Sequence, residues 1–88
     1  MDTYARLSKW LLEQSPYIPA FQVSFVQIED ILGLSLPPTA RRNTAWWANN
    51  PDHHSQARAW LEAGFMTDNL DLVKETLVFR RVANPNSN

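Results

Sequence analysis

The stretch "SFVQIEDILGL", residues 24–34, constrains the chain most, because it specifies a helix and both of its ends. Ser24 followed three residues later by Gln27 is a capping box, in which a hydroxyl and an amide each satisfy an orphan backbone N–H. Phe25, Ile28, Ile31 and Leu32 form one apolar side, Val26 is half-buried at best, and Gly33 supplies the left-handed residue that closes the helix, with Leu34 expected to fold back on it. The segment predicts a helix over 25–32. "AGF" at 63–65 repeats this closing chemistry, with Gly64 ending a second helix and Phe65 packing back.

The remaining elements follow from periodicity. Tyr4, Leu7 and Leu11, widened by Trp10, share a helical stripe over about 3–14, and "SPYIP" ends it because proline cannot continue a helix. "FQVS" alternates as a short strand. Pro37 or Pro38 suits a first helical turn, so a helix is expected over about 38–48, with Trp47 on its core side and Trp46 at the edge. "NNPDHH" reads as a turn. Asp52 or Ser55 is expected to cap a fourth helix at 55–63, whose apolar residues are Ala57, Trp60 and Leu61. "FMTDNLDL" and "TLVFRRV" are extended runs joined by a "VKE" turn, with Leu70, Leu72, Leu77 and Phe79 inward by period two. The expectation is an α+β fold, winged-helix-like, in the order helix-strand-helix-helix-helix-β-hairpin, with a small antiparallel three-stranded sheet. Residues 1–82 form one compact domain, and 83–88, "ANPNSN", read as a flexible tail.

The 88 residues contain no cysteine, so neither disulfides nor thiolate metal sites are available. Burial must come from apolar side chains, four tryptophans and four phenylalanines among them. No apolar run approaches the roughly 20 residues of a membrane span. The start "MDTYARLSKW" lacks the pattern of a signal peptide, and the reading places the protein in the cytoplasm.

The net charge is −1, without the basic excess usual in a nucleic-acid binder. Its distribution is uneven. Residues 34–60 carry Arg41, Arg42 and Arg58 against Asp52 alone, with His53 and His54 beside them, so an anion-binding face is expected there. Phe25–Trp47 can be read as a helix-turn-helix with Arg41 and Arg42 near the start of its second helix, where side chains reach base edges and arginine pairs with guanine. Ile28, Leu32 and Leu34 suit that unit, while Glu29, Thr39 and Arg42 fit it less well. The rival reading helix is "HHSQARAW", presenting Ser55, Gln56 and Arg58. The hairpin then acts as a wing with Arg80 outward.

An ordinary helical corner with a polar helix start accounts for the same residues. Trp46, Trp47 and Trp60 read first as packing residues, and an exposed Trp46 would mark a binding surface. Glu29-Asp30 reads as a solvated helix face. Adjacent His53 and His54 lack metal-ligand spacing, there is no phosphate loop, and nothing arranges a nucleophile with a base. Neither an enzyme nor a cofactor is expected.

Three blocks, "SFVQIEDILGLSLPPTARRNTAWWAN", "HSQARAWLEAGF" and "LVFRR", together resemble an uncharacterised family of small bacterial domains. Its pattern is F-x-x-I-E-x-I-L-G-x-x-L-P-x-x-A-R, then W-W-x-N, S-Q-A-x-A-W-x-x-A-G-aromatic and F-x-R. The resemblance covers about residues 4–81, with Phe65 where tryptophan is common, and it implies no established activity. It carries forward Arg41, Trp46, Trp47, Asn49, Ser55, Gln56 and Trp60. The functional expectation is duplex DNA binding through Arg41, Arg42, Trp46, Asn49, Ser55, Gln56, Arg58 and Arg80, with a homodimer allowed. The alternative is a protein-interaction module, such as a phage-type inhibitor or an accessory subunit, anchored by tryptophan.

Overall fold

Ser24 opens the best-specified helix with half of the expected capping box: its Oγ accepts from the Gln27 N–H at 3.0 Å, but among the described residues the Gln27 amide makes no return bond to the Ser24 N–H. Gly33 closes the last turn at φ 73°. In the computed structural model, which describes residues 3–52 and 54–82, this helix is the second of four. The order is α1 (Ala5–Leu12), β1 (Ala20–Ser24), α2 (Phe25–Leu32), α3 (Pro38–Arg42), a 3-10 turn (Thr44–Trp47), α4 (Ser55–Glu62), β2 (Phe65–Asp71) and β3 (Thr76–Arg81). The sheet is antiparallel throughout, in the order β1-β3-β2. The expected flexible tail, 83–88, lies outside the described residues, as does His53.

The helix expected over 38–48 is two pieces. Asn43 sits between them with extended backbone (φ −133°, ψ 119°), and its side chain accepts from Ala45 N at 2.9 Å to start the 3-10 turn. A short polar side chain that bonds its own downstream backbone competes with the helix ladder, and here it wins. The break turns Trp47 fully into the core, where its indole N–H donates to Ala40 O at 2.7 Å. α1 is also shorter than expected. The cap of α4 is His54, which makes no side-chain cap bond, so neither Asp52 nor Ser55 serves there. Leu34 returns to α2 through its backbone, its N–H donating to Glu29 O at 3.3 Å, but its side chain stays exposed, and Leu36 is the buried residue after Gly33.

Period two places the inward residues of β3 correctly, since Leu77 and Phe79 are buried. On β2 the buried residues are Phe65 and Thr67, while Leu70 and Leu72 are half-buried and pack against the core. A bulge reconciles the odd and even positions. The register steps three residues on β2 (Asp68 to Asp71) against two on β3 (Val78 to Thr76), with Asn69 at φ 48°.

The core is an aromatic row. Phe25 stacks on Trp47 at 4.8 Å, Trp47 on Trp60 at 6.0 Å, and Trp60 leads to Phe79, Phe65 and Phe21. Leu7 and Leu11 of α1, Ile28 and Leu32 of α2, and Ala57 of α4 complete it. Among the described residues, no helix is long and apolar enough to cross a membrane.

Candidate functional site

Arg41 is the first of the expected DNA-contacting residues along the chain, and its guanidinium is fully engaged inside the molecule. Nη1 and Nη2 donate to the two oxygens of Glu29 at 2.9 and 3.0 Å, a bidentate pair, and Nε donates to Glu75 Oε2 at 3.0 Å. α2, α3 and the β2–β3 turn are thereby tied at one point. Glu29 also accepts from Leu36 N at 2.7 Å. The bond from Arg41, and next the one from Leu36 N–H, hold the Glu29 carboxyl below the usual carboxylate range, and Glu29 raises the Arg41 pKa in turn. The expectation of a solvated Glu29 therefore gives way. It lies four residues after buried Phe25 and three before buried Leu32, on the apolar stripe, and a carboxylate there needs a partner.

Asn49 and Gln56 are likewise committed internally. Asn49 Oδ1 accepts from Thr67 N at 2.9 Å and Trp60 Nε1 at 2.9 Å, while Nδ2 donates to Thr67 O at 3.1 Å, and the Thr67 hydroxyl gives its proton to Trp47 O at 2.6 Å. Gln56 is 6% exposed and donates from Nε2 to Trp46 O at 3.0 Å. Trp46 is half-buried, edge-on to Trp47 at 4.6 Å and to Tyr4 at 6.0 Å. It sits at the rim of the aromatic row rather than free in solvent.

The other four expected residues, Arg42, Ser55, Arg58 and Arg80, are all exposed, as Asn49 is too despite its internal bonds. Arg80 Nε meets Asp68 Oδ2 at 2.9 Å, and that bond, with a lesser one from Asn69 N–H, lowers the Asp68 pKa. Arg58 gives one bond, Nη2 to Pro51 O at 3.2 Å. Neither Arg42 nor Arg58 has a carboxylate partner among the described residues. Ser55, Arg58 and Glu62 are spaced three and four residues apart along the exposed side of α4. The structure thus divides the eight residues: Arg41, Trp46, Asn49 and Gln56 are bonded or packed within the molecule, and the side chains of Arg42, Ser55, Arg58 and Arg80 lie at the surface.

Sequence reasoning missed Thr67 and Glu75, the partners of Asn49 and Arg41. Their separations of 18 and 34 residues leave no local signal. Arg81, the last residue of β3, stacks over Phe65 at 4.5 Å and donates to Ser15 O at 3.0 Å, pinning the loop before β1. No group of three His, Cys, Asp or Glu side chains comes together to hold a metal among the described residues.

A family model described as a domain of unknown function, DUF7662, matches residues 4–83. The chain belongs to this family. The match spans every described helix and strand of this DUF7662 domain, from α1 to β3. No curated protein and no solved structure matches it.

Proposed function

We propose that the domain binds duplex DNA in a winged-helix-like manner, with Arg42 and Arg58 as its principal phosphate or guanine contacts. The observation that carries this reading is that these two arginines are exposed and have no carboxylate partner among the described residues, whereas Arg41 is neutralised from two sides. The strand order β1-β3-β2 supports it, with α4 leading directly into the β2–β3 hairpin. In this arrangement α4 is the reading helix, presenting Ser55 and Arg58, and α3 flanks it with Arg42. Arg80 serves from the hairpin by exchanging half-exposed Asp68 for a phosphate, a small loss because solvent screens a surface pair. Asn49, Gln56 and Trp46 act indirectly, by fixing the segment between α3 and α4.

Charge reversal tests the reading where it leaves the fold intact. Arg42→Glu with Arg58→Glu should abolish a salt-sensitive shift of duplex DNA while the far-ultraviolet spectrum stays unchanged. Retained binding in that double variant would remove the proposal. Arg41 is unsuitable for the test, because its reversal would oppose Glu29 and Glu75 and damage the fold itself.

One observation favours the protein-interaction reading. Tyr17 is 92% exposed, and Ile18 beside it is exposed too. Since Trp46 is half-buried, Tyr17 is the stronger anchor for a partner. Under this reading Tyr17→Ala abolishes a nuclease-resistant association with one specific protein, and DNA binding is absent at low salt.

A further inference from the structure

We infer that the free edge of β1 is a dimer seam, at which a second copy of this chain adds its own β1 antiparallel about a two-fold axis at Gln22. The hydrogen bonding of the central strand fixes which groups are free. Arg81 N donates to Pro19 O at 2.7 Å and Phe25 N to Glu75 O at 2.9 Å, so the odd residues of β3 face β1. Val82 N donates to Gly64 O at 2.8 Å, so the even residues face β2. On β1, therefore, Phe21 and Val23 bond inward, and the backbone N–H groups of Ala20, Gln22 and Ser24 point away from the sheet. Among the described residues none of these three N–H groups has a partner, nor do the carbonyls of Ala20 and Gln22.

The opposite edge is guarded. On β2 the outward backbone groups of Thr67 are taken, N–H and carbonyl alike, by the Asn49 amide. Further along, the bulge at Asn69 and the acidic Asp68 and Asp71 spoil the edge for another strand. β1 has none of these devices. It is regular, contains no proline, and lies in a stretch, Gln14 to Ile28, without a single charged residue.

The occupant follows from the strand's own pattern. Paired with itself about Gln22, β1 sets Phe21 against Val23 of the second copy on the core side. On the outer side it sets Ala20 against Ser24 and Gln22 against Gln22, so the core-side pair is apolar, the outer pairs are small or uncharged, and no like charges face each other. Exposed Tyr17 and Ile18 precede the strand and exposed Val26 follows it. The antiparallel two-fold brings those opposite ends together, covering apolar surface that one copy leaves in water. Two three-stranded sheets then become one of six. This seam is independent of the DNA-binding reading.

Sedimentation velocity from micromolar to millimolar protein tests it. The mass should rise with concentration from 10.1 kDa toward twice that value. Gln22→Pro removes an outward N–H without touching the β3 ladder, and Gln22→Lys places like charges on the axis; both should stay monomeric with unchanged circular dichroism. A wild-type chain that remains monomeric at millimolar concentration would overturn the inference. So would a dimer that survives both substitutions.

Discussion

Asn49 behaves as a one-residue strand. Its amide offers an acceptor and a donor in the spacing of a backbone, and Thr67 N–H and carbonyl take both, while the same Oδ1 satisfies the indole N–H of buried Trp60. Removing it strands a donor in the core, which costs about 1–3 kcal/mol for each unsatisfied group. Asn49→Ala should therefore lower the denaturant midpoint by the equivalent of about 2–3 kcal/mol with an unchanged m-value. Asn49→Asp keeps the acceptor and should lose less. Ser55→Ala is the contrast: an exposed residue in the same candidate set, it should move stability by no more than about 0.5 kcal/mol. These unfolding curves separate residues that build the segment from residues proposed to contact a ligand. The sequence placed Asn49 and Gln56 among possible base readers because an amide on a polar helix start looks the same in either role. Only the partner distinguishes them, and Thr67 lies 18 residues away.

Among the elements, α3 carries the largest difference from the sequence reading. Apolar spacing suggested one helix through Trp47, yet Asn43 interrupts it, because its side chain bonds Ala45 N–H and leaves the next turn 3-10. Elements with strong local chemistry at both ends, such as α2 between Ser24 and Gly33, were legible to the residue. The three strands were legible to within a residue at their ends, apart from the bulge at Asn69 that moves Leu70 and Leu72 onto the odd-numbered face. The Arg41 clamp that joins these elements was not legible in the sequence: the helix pattern reads Glu29 as solvated, although a carboxylate on an apolar stripe needs a partner, and Glu75 arrives through the fold alone. The clamp carries a pH dependence. The Glu29 carboxyl is held below its usual range, chiefly by Arg41. A depressed folded pKa stabilises the native state above the unfolded value, roughly 4.3, and that stability is lost as pH falls through the folded value. Equilibrium unfolding should therefore show the wild type weakening below about pH 4.5. Glu29→Gln should be less stable than the wild type at pH 7 but weaken less on acidification, with Asp68 contributing the rest of the wild-type slope.

At the scale of the whole molecule, the excess of basic residues in the middle segment is smaller at the surface than in the sequence. Three carboxylates, Glu29, Glu75 and Asp68, neutralise two of the four candidate arginines, and the net charge is −1. The DNA binding proposed for this domain would then rest on few phosphates, so the proposal expects it to be moderate in strength and shallow in its salt dependence. The measurement closest to that claim is a fluorescence-anisotropy titration of labelled duplex DNA across a series of salt concentrations. The predicted result is an affinity that falls linearly on a log–log plot, with a slope of about −0.9 for each phosphate contacted, and Arg42→Ala and Arg58→Ala each reducing that slope by about one unit. No anisotropy change at low ionic strength, or a slope that neither substitution alters, would contradict it.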